Sequence, residues 1–221
     1  MSNLEEKELQ ILRDAVDLAE KREGRKTINA PEIKEIISIV EDFLRTKKLI
    51  CYGGTAINNI LPVQDQFYDK SLEIPDYDFY SSKALSDAKE LADIYYKKGF
   101  ESVEAKAGVH FGTYKVFVNY IPVADITFLE KKLFNTIYKD SIKVDGILYC
   151  APNYLRMSMF LELSRPMGDV SRWEKVLKRL ILLNKNYPLK GKECNLVDVQ
   201  REMETSKIIK KQNLIYRTVR D

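Results

Sequence analysis

The apolar residues of this chain recur at two different spacings, which separate helical segments from strands. Spacings of three and four residues predict a helix over 4–21 and a second helix that begins at Pro31 and ends in "RTKK" (45–48). The short apolar run at 49–52 is typical of a buried strand. The next segment, "TAINNIL", predicts a brief helix with Thr55 near its N-terminal cap. The chain is therefore expected to reach its first strand after two helices.

Strand patterns dominate the middle of the chain, and helical spacing returns after residue 130. "IPDYDFY" (74–80) has the β-branched and aromatic content of a strand, and a helix over 82–98 is closed by Gly99. Further strands are predicted at 100–107, 113–118 and 121–128, and further helices at roughly 131–139, 153–164 and 170–184.

This order of elements predicts an α/β (α+β) fold in three parts. An N-terminal helical segment (1–47) precedes a core (48–130), and a mainly helical portion (131–221) follows it. The final "IYRTVRD" carries no clear stop signal, which leaves open that the chain is a piece of a longer protein.

The amino-acid composition is that of a soluble globular protein and not of a secreted or membrane protein. The chain has 221 residues, of which 45% are hydrophobic and 31% charged, as in soluble globular proteins. It begins with the charged "MSNLEEKELQ" and has no apolar stretch of the ~20 residues that a membrane span needs. These features predict an intracellular protein that is neither secreted nor bound to a membrane.

The cysteines, the histidine and the net charge exclude several kinds of chemistry. The three cysteines share no C-x-x-C spacing, which argues against a zinc site or a disulfide framework. The single histidine, His110, excludes a mechanism that needs two imidazoles. Because the net charge is only +3, any surface that binds nucleic acid must be a local patch.

Three aspartates in strand patterns are the first candidates for a site. Side chains two apart on a strand share a face, so "IPDYDFY" places Asp76 and Asp78 together. Adjacent carboxylates repel unless a cation lies between them, and hard oxygen ligands suit Mg²⁺ or Mn²⁺. Asp125 lies in the alternating "VADITF" (123–128), a strand too apolar for a solvent-exposed aspartate.

Each of these features also has an ordinary explanation. Gly53 and Gly54 before a helix are compatible with a simple turn, since glycine serves tight turns freely. An aspartate pair at a strand edge is usually solvated, and a lone strand aspartate often pairs with a lysine or arginine. Their occurrence together, in order, favours a functional site over three separate coincidences.

The order strand, G-G-T, helix, D-x-D strand and later strand aspartate resembles the nucleotidyltransferase superfamily of DNA polymerase β. Its members carry G-G-[S/T], then [D/E]-h-[D/E] and a third acidic residue. Within it, "YGGTAIN", "DYDFYS", "VADITF" and "APNYLRMSMFLELSRPMGDVSRWEKVLKRL" are most similar to the poly(A) polymerase catalytic subunits of large cytoplasmic DNA viruses. The likeness spans roughly 48–185. One departure is the long gap between the first two motifs, which we interpret as an inserted loop over 62–72.

The resemblance implies a mixed sheet and the transfer of adenylates from ATP to an RNA 3′ end with two Mg²⁺ or Mn²⁺ ions. Asp76 and Asp78 would hold both ions, and Asp125 would complete the ion that activates the 3′-hydroxyl. Phosphates of ATP would bind the amides of a three-residue segment at a helix N-terminus, consisting of Gly53, Gly54 and Thr55. A viral relative of this kind acts in the host cytoplasm or the virion.

A basic stripe on the predicted helix 170–184 supplies candidates for phosphate contacts. Arg172, Lys175 and Arg179 form the stripe, although charge rows on helices are more often simply solvated. Lys175 and the nearby Arg165 are the two residues that we predict to contact the triphosphate or RNA.

Alternatives remain at this stage. The motifs do not separate a poly(A) polymerase from an enzyme with another acceptor, such as a tRNA nucleotide-adding or toxin-type nucleotidyltransferase. A non-catalytic RNA-binding subunit that keeps the fold is a third reading, although it has little reason to retain three repelling carboxylates. P-loop and protein-kinase motifs are absent. A homodimer or a separate processivity subunit are both open as partners, and family members are typically longer than this chain.

Overall fold

The computed structural model describes residues 3–165 and 168–189, which contain seven helices and seven strands. The helices are α1 (Asn3–Ile28), α2 (Pro31–Lys47), α3 (Gly53–Ile60), α4 (Ala84–Lys97), α5 (Lys131–Asp140), α6 (Pro152–Leu163) and α7 (Trp173–Asn186). The strands are β1 (Ile50–Tyr52), β2 (Tyr77–Ser81), β3 (Val103–Ala107), β4 (Thr113–Val118), β5 (Ile121–Phe128), β6 (Ile142–Val144) and β7 (Ile147–Tyr149).

The chain divides into two compact units after Gly168. The first unit contains the whole sheet and α1–α6, and the described part of the second contains α7 and the 3-10 turn Val170–Arg172. None of the helices in the described part of the chain is long and apolar enough to cross a membrane.

One mixed sheet, in the order β3-β4-β5-β2-β1-β7-β6, organises the first unit. Strand β2 runs parallel to β5, and β1 runs parallel to β7, while the other neighbours are antiparallel. The mixed α/β fold that the sequence predicted is confirmed. The central strands β5, β2 and β1 carry the acidic and glycine-rich segments, so the sheet brings these segments side by side.

One face of the central strands packs into the apolar core. Phe79 of β2 is fully buried and lies with its ring centroid 6.5 Å from that of Phe43 on α2. The Tyr95 hydroxyl on α4 donates a 2.7 Å hydrogen bond to the carbonyl of Ile36, which ties α4 to α2. Since side chains alternate along a strand, Asp78, the neighbour of Phe79, points to the opposite face.

Several boundaries differ from the sequence prediction. Strands β6 and β7 were missed, because three-residue strands such as "IKV" and "ILY" are too short to show a period. Strand β2 begins at Tyr77 and not at residue 74. Helix α3 begins at Gly53 with Tyr52 as its N-cap residue, two residues earlier than predicted, so Thr55 lies near the cap, in the first turn.

Candidate active site

Four neighbouring strands place polar side chains in one register across the sheet. Asp78 of β2 lies opposite Tyr52 of β1 on one side and opposite Asp125 of β5 on the other, and Asp125 in turn lies opposite Lys115 of β4. We call these four residues the polar row. They lie on the face of the sheet opposite to Phe79, so two of the three predicted carboxylates are direct cross-strand neighbours.

Asp76 comes directly before β2 and belongs to the same electrostatic environment. Although the residue is exposed overall, partial desolvation is the largest reason that its pKa is raised, and the charge of Asp125 raises the pKa further, while Lys115 lowers it. A group that feels both Asp125 and Lys115 lies close to the polar row. The structure therefore brings all three sequence-predicted aspartates into one region.

Asp125 is held by an ion pair along the polar row. The Lys115 ammonium contacts Oδ2 of Asp125, and the aspartate side chain is only 16% exposed. The other carboxylate oxygen, Oδ1, is buried and has no hydrogen-bond partner in the described structure. As the side chains stand, residues 3–165 and 168–189 contain no group of three His, Cys, Asp or Glu side chains arranged to hold a metal ion.

Gly53 is the point where the glycine-rich turn meets the polar row. Its φ of 73° lies in the left-handed region that favours glycine, and a Cβ built there would lie 2.3 Å from Oδ2 of Asp78. Both the backbone conformation and the available space therefore require glycine at position 53. Gly53 is the left-handed member of the pair, and Gly54 continues α3.

Helix α3 is hydrogen-bonded to the middle of the inserted loop and to the segment that follows the loop. Thr55 donates a 2.6 Å hydrogen bond from its hydroxyl to the backbone carbonyl of Asp76. The buried Asn58 accepts hydrogen bonds of 2.8 and 2.9 Å from the amides of Phe67 and Tyr68. The long gap therefore does not separate the motifs, because two polar side chains of α3 tie the loop back to the glycine turn.

A cluster of tyrosines and threonines beside the polar row was missed by the sequence analysis. The rings of Tyr52 and Tyr80 stack at 4.1 Å, and Tyr154 of α6 donates a 3.1 Å hydrogen bond to the Tyr80 hydroxyl. The Tyr52 and Thr127 hydroxyls are 2.8 Å apart, and that of Thr127 is 2.9 Å from the Thr113 hydroxyl. Alternation in "YDFYS" was the available signal, since it puts Tyr80 on the same face as Asp78.

Burial affects the protonation of these tyrosines. It is the largest cause of the raised pKa of Tyr52, and the charge of Asp78 is the next. The pKa of Tyr80 is raised mainly by burial as well. Both hydroxyls are therefore neutral at physiological pH and keep their protons for hydrogen bonds.

The predicted basic residues are divided between the two units of the chain. Arg165 is exposed and follows α6 in the first unit, whereas Lys175 is exposed on α7 in the second unit. Their role in binding phosphates stays a prediction. The basic stripe needs one correction, because Arg179 is buried and leaves only Arg172 and Lys175 exposed.

The mixed sheet with a glycine turn against an acidic strand is a nucleotidyltransferase fold. Residues 38–169 match the sequence pattern of the family described as "Poly(A) polymerase catalytic subunit". The chain belongs to this family.

Similar proteins come from large DNA viruses. A protein of African swine fever virus (strain Badajoz 1971 Vero-adapted), assigned as the poly(A) polymerase catalytic subunit, is 36% identical over 178 residues, or 78% of this chain and 36% of the relative. Its counterpart in Acanthamoeba polyphaga mimivirus is 33% identical over 162 residues, or 72% of this chain and 27% of the relative. The chain thus spans about a third of the length of these relatives.

The fold also matches a solved structure from the same group of viruses. The crystal structure of the Megavirus polyadenylate synthase superposes with a TM-score of 0.77 and 31% sequence identity. The match covers 88% of this chain and 40% of the synthase. The mixed sheet and its flanking helices are therefore shared with a polyadenylate synthase.

Proposed function

We propose that this chain is the nucleotide-transferring part of a viral poly(A) polymerase, which adds adenylates from ATP to the 3′ end of RNA. The observation that carries the proposal is the contact of Gly53 with Asp78 beside the in-register Asp125, in a chain of this family. That arrangement puts a helix N-terminus, suited to phosphate, against carboxylates suited to a cation.

The donor chemistry suits divalent cations, although the side chains of the described residues are not gathered into a ligand group as they stand. Three carboxylates offer hard oxygen ligands, and the buried Oδ1 of Asp125 has no other partner in the described structure. Asp76 and Asp78 would hold two Mg²⁺ or Mn²⁺ ions, and Asp125 would complete one of them. Bound ions of this kind lower the pKa of an attacking hydroxyl and neutralise charge on leaving oxygens.

The glycine turn supports a separate task, which is to hold the triphosphate. The first amides of a helix have no partner within it, and those of α3 belong to Gly53, Gly54 and Thr55. These amides would bind the β- and γ-phosphates, because the helix N-terminus favours negative charge. The Thr55 hydroxyl is already used by the Asp76 carbonyl, so the phosphate contacts are assigned to the backbone.

The proposal extends to the surroundings in which the enzyme works. Its relatives come from large DNA viruses, which supports a location in the host cytoplasm or the virion. The acceptor is an RNA 3′ end, with Arg165 and Lys175 as contacts for phosphates. A second copy of the chain or a processivity subunit would be its protein partner.

An elongation assay tests the proposal directly. The chain is incubated with a short RNA and Mg²⁺ or Mn²⁺, with each nucleoside triphosphate in turn, and the products are separated on a gel. We expect elongation with ATP, its loss in Asp78→Asn, and its retention in the control Asp93→Asn, which changes an exposed aspartate of α4.

Other outcomes of this assay would redirect the proposal. Equal use of all four nucleotides would contradict a poly(A) polymerase and keep the wider class of nucleotidyltransferase. Extension of tRNA alone would indicate an acceptor other than messenger RNA. Binding of RNA without elongation, and without any effect of Asp78→Asn, would favour a non-catalytic subunit.

A further inference from the structure

Lys115 lies beside the candidate active site but has no role in the proposed reaction as described above. It lies on β4, directly opposite Asp125, and its ammonium contacts Oδ2 of that carboxylate. The lysine side chain is 35% exposed and the aspartate side chain 16% exposed, so the pair is partly removed from water. An ion pair in such a place is screened less than one on the surface.

The second carboxylate oxygen of Asp125 indicates a function for the Lys115–Asp125 pair. Oδ1 is buried without a hydrogen-bond partner in the described structure, although a buried carboxylate oxygen normally has one. One half of the carboxylate is thus satisfied by a lysine and the other half is left for a different group. A divalent cation is the group that the neighbouring aspartates would also bind.

The charge of Lys115 also affects carboxylates other than Asp125. Asp125 lies opposite Lys115 on one side and opposite Asp78 on the other, so the ammonium of Lys115 lies one strand away from a second carboxylate. A single ammonium therefore offsets part of the repulsion within the carboxylate cluster when no metal ion is bound. A divalent ion that binds Asp125 is repelled by the ammonium of Lys115, which contacts the same carboxylate.

We propose that Lys115 is the internal counter-ion of the carboxylate cluster and competes with the divalent cation for Asp125. The inference rests on the proposed function, in which Asp76, Asp78 and Asp125 hold the metal ions. In the metal-free protein the ammonium stabilises the cluster, and it weakens the binding of free metal ions. The protein would then take up its ions most readily together with the triphosphate, which brings compensating negative charge.

Three variants separate this role from an ordinary surface ion pair. Lys115→Met removes the charge and keeps much of the length, and Lys115→Arg keeps the charge. The matched control is Lys106→Met, because Lys106 lies directly opposite Lys115 on β3 and pairs with the exposed Glu104. For each, Mn²⁺ binding to the protein alone is measured by electron paramagnetic resonance, and the melting temperature is measured in EDTA.

The expected results differ in sign between the two measurements. Lys115→Met should bind Mn²⁺ about 10-fold more tightly, because a repelling charge next to the site is gone. It should melt lower in EDTA by about 4 °C, because Asp125 loses its counter-ion. Lys115→Arg and Lys106→Met should stay close to the parent chain in both measurements.

Two results would overturn the proposal without touching the proposed function. If Lys115→Met binds Mn²⁺ with an affinity within twofold of the parent, the Lys115–Asp125 pair does not affect metal binding and is an ordinary ion pair. Weaker Mn²⁺ binding in that variant would mean that Lys115 orients Asp125 and does not compete for it. If the parent chain binds no Mn²⁺ even with ATP present, the metal site itself fails, and the proposed function fails with it.

Discussion

Asp76 and Asp125 are carboxylates of one candidate site, yet the protein holds them in opposite ways. Asp125 lies in the middle of β5, and Lys115 neutralises one of its oxygens. Asp76 is exposed and comes directly before β2, and Thr55 holds its backbone carbonyl while partial desolvation raises the pKa of its side chain. No ion pair with Asp76 is found within 3–165 and 168–189.

The difference shows that repulsion within a carboxylate cluster is not shared equally. A strand neighbour can supply a counter-ion to a residue in mid-sheet, as β4 does for Asp125. Asp76 follows a loop and is fixed through its main chain instead, so its charge is left for a cation that comes from outside. Substitution of either aspartate should therefore lower the transfer rate, whereas the two substitutions should have opposite effects on the stability of the metal-free protein.

The largest expected effect is on transfer, and here the two residues should agree. Asp76→Asn and Asp125→Asn should each lower adenylate incorporation at least ~1000-fold, since each removes a ligand charge that metal-assisted transfer needs. Initial rates with saturating ATP and Mg²⁺ measure this, with Asp93→Asn as the control. A near-normal rate in Asp125→Asn would remove that residue from the set of metal ligands.

The next largest effect concerns the glycine turn beside Asp78. Gly53→Ala should lower transfer by about 100-fold or more, because its Cβ would lie 2.3 Å from a carboxylate oxygen of Asp78. The left-handed backbone adds about 1–2 kcal/mol of destabilisation for alanine. Gly54→Ala is the matched variant, and we expect the smaller defect there, because Gly54 continues α3 and has no positive φ.

The outcome to watch is whether activity and stability separate. If Gly53→Ala melts early but transfers normally at low temperature, then position 53 serves only the turn. If Gly54→Ala proves the more harmful for ATP affinity, phosphate approaches the backbone at position 54 after all. Steady-state KM for ATP and melting curves on the same preparations decide between these cases.

Much of this arrangement was predictable from the sequence, and the reasons are local. Strand β5 was predicted with its observed bounds because "IPVADITF" combines β-branched residues with a clear turn before it. Pro31 fixed the start of α2, since proline is favoured in the first helical turn. Period-two alternation placed Asp78 on the face opposite to Phe79, and in the structure Asp78 lies directly opposite Asp125 on the neighbouring strand.

The remainder depends on contacts between segments that are distant in sequence. The pairing of Lys115 with Asp125 follows from the register of β4 against β5, and nothing in either segment alone states that register. A lysine or arginine partner for Asp125 was foreseen only as the ordinary alternative to a metal site, and the sequence did not identify Lys115 as that partner. It also missed β6 and β7, which are defined by pairing with β1 and with each other more than by pattern.

Melting of the metal-free protein should separate the two aspartates by sign. In EDTA at neutral pH, Asp76→Asn should raise the melting temperature only slightly, by about 1 °C, because it removes a charge that repels Asp125 from a residue that is exposed to solvent. Asp125→Asn should lower it by about 2–4 °C, because Lys115 loses its partner. Calorimetry of both variants and the parent checks this, and shifts of the same sign would contradict the comparison.

The same comparison has a pH dependence. The pKa of Asp76 is raised in the folded protein, so the folded state binds that proton more tightly than the unfolded state. Ionised Asp76 therefore destabilises the folded state fully at pH values above its folded-state pKa. This destabilisation disappears as the pH falls towards the pKa of Asp76 in the unfolded state. The gain from Asp76→Asn should therefore be largest near pH 7 and shrink towards pH 4, and a gain that grows with acidity would refute it.

The smallest expected effect tests how the Asp76 end is held. Thr55→Val keeps the shape of the side chain but removes the 2.6 Å hydrogen bond to the Asp76 carbonyl, at a cost of about 1 kcal/mol in the free energy of unfolding. Thr55→Ser keeps the hydroxyl and should stay close to the parent. Because the hydroxyl positions Asp76 and the phosphates bind amides, Thr55→Val should raise the Mg²⁺ concentration needed for half-maximal transfer and leave KM for ATP nearly unchanged. A raised KM for ATP at an unchanged Mg²⁺ requirement would instead assign the hydroxyl to the triphosphate, and Asp76 would then be held by the strand alone.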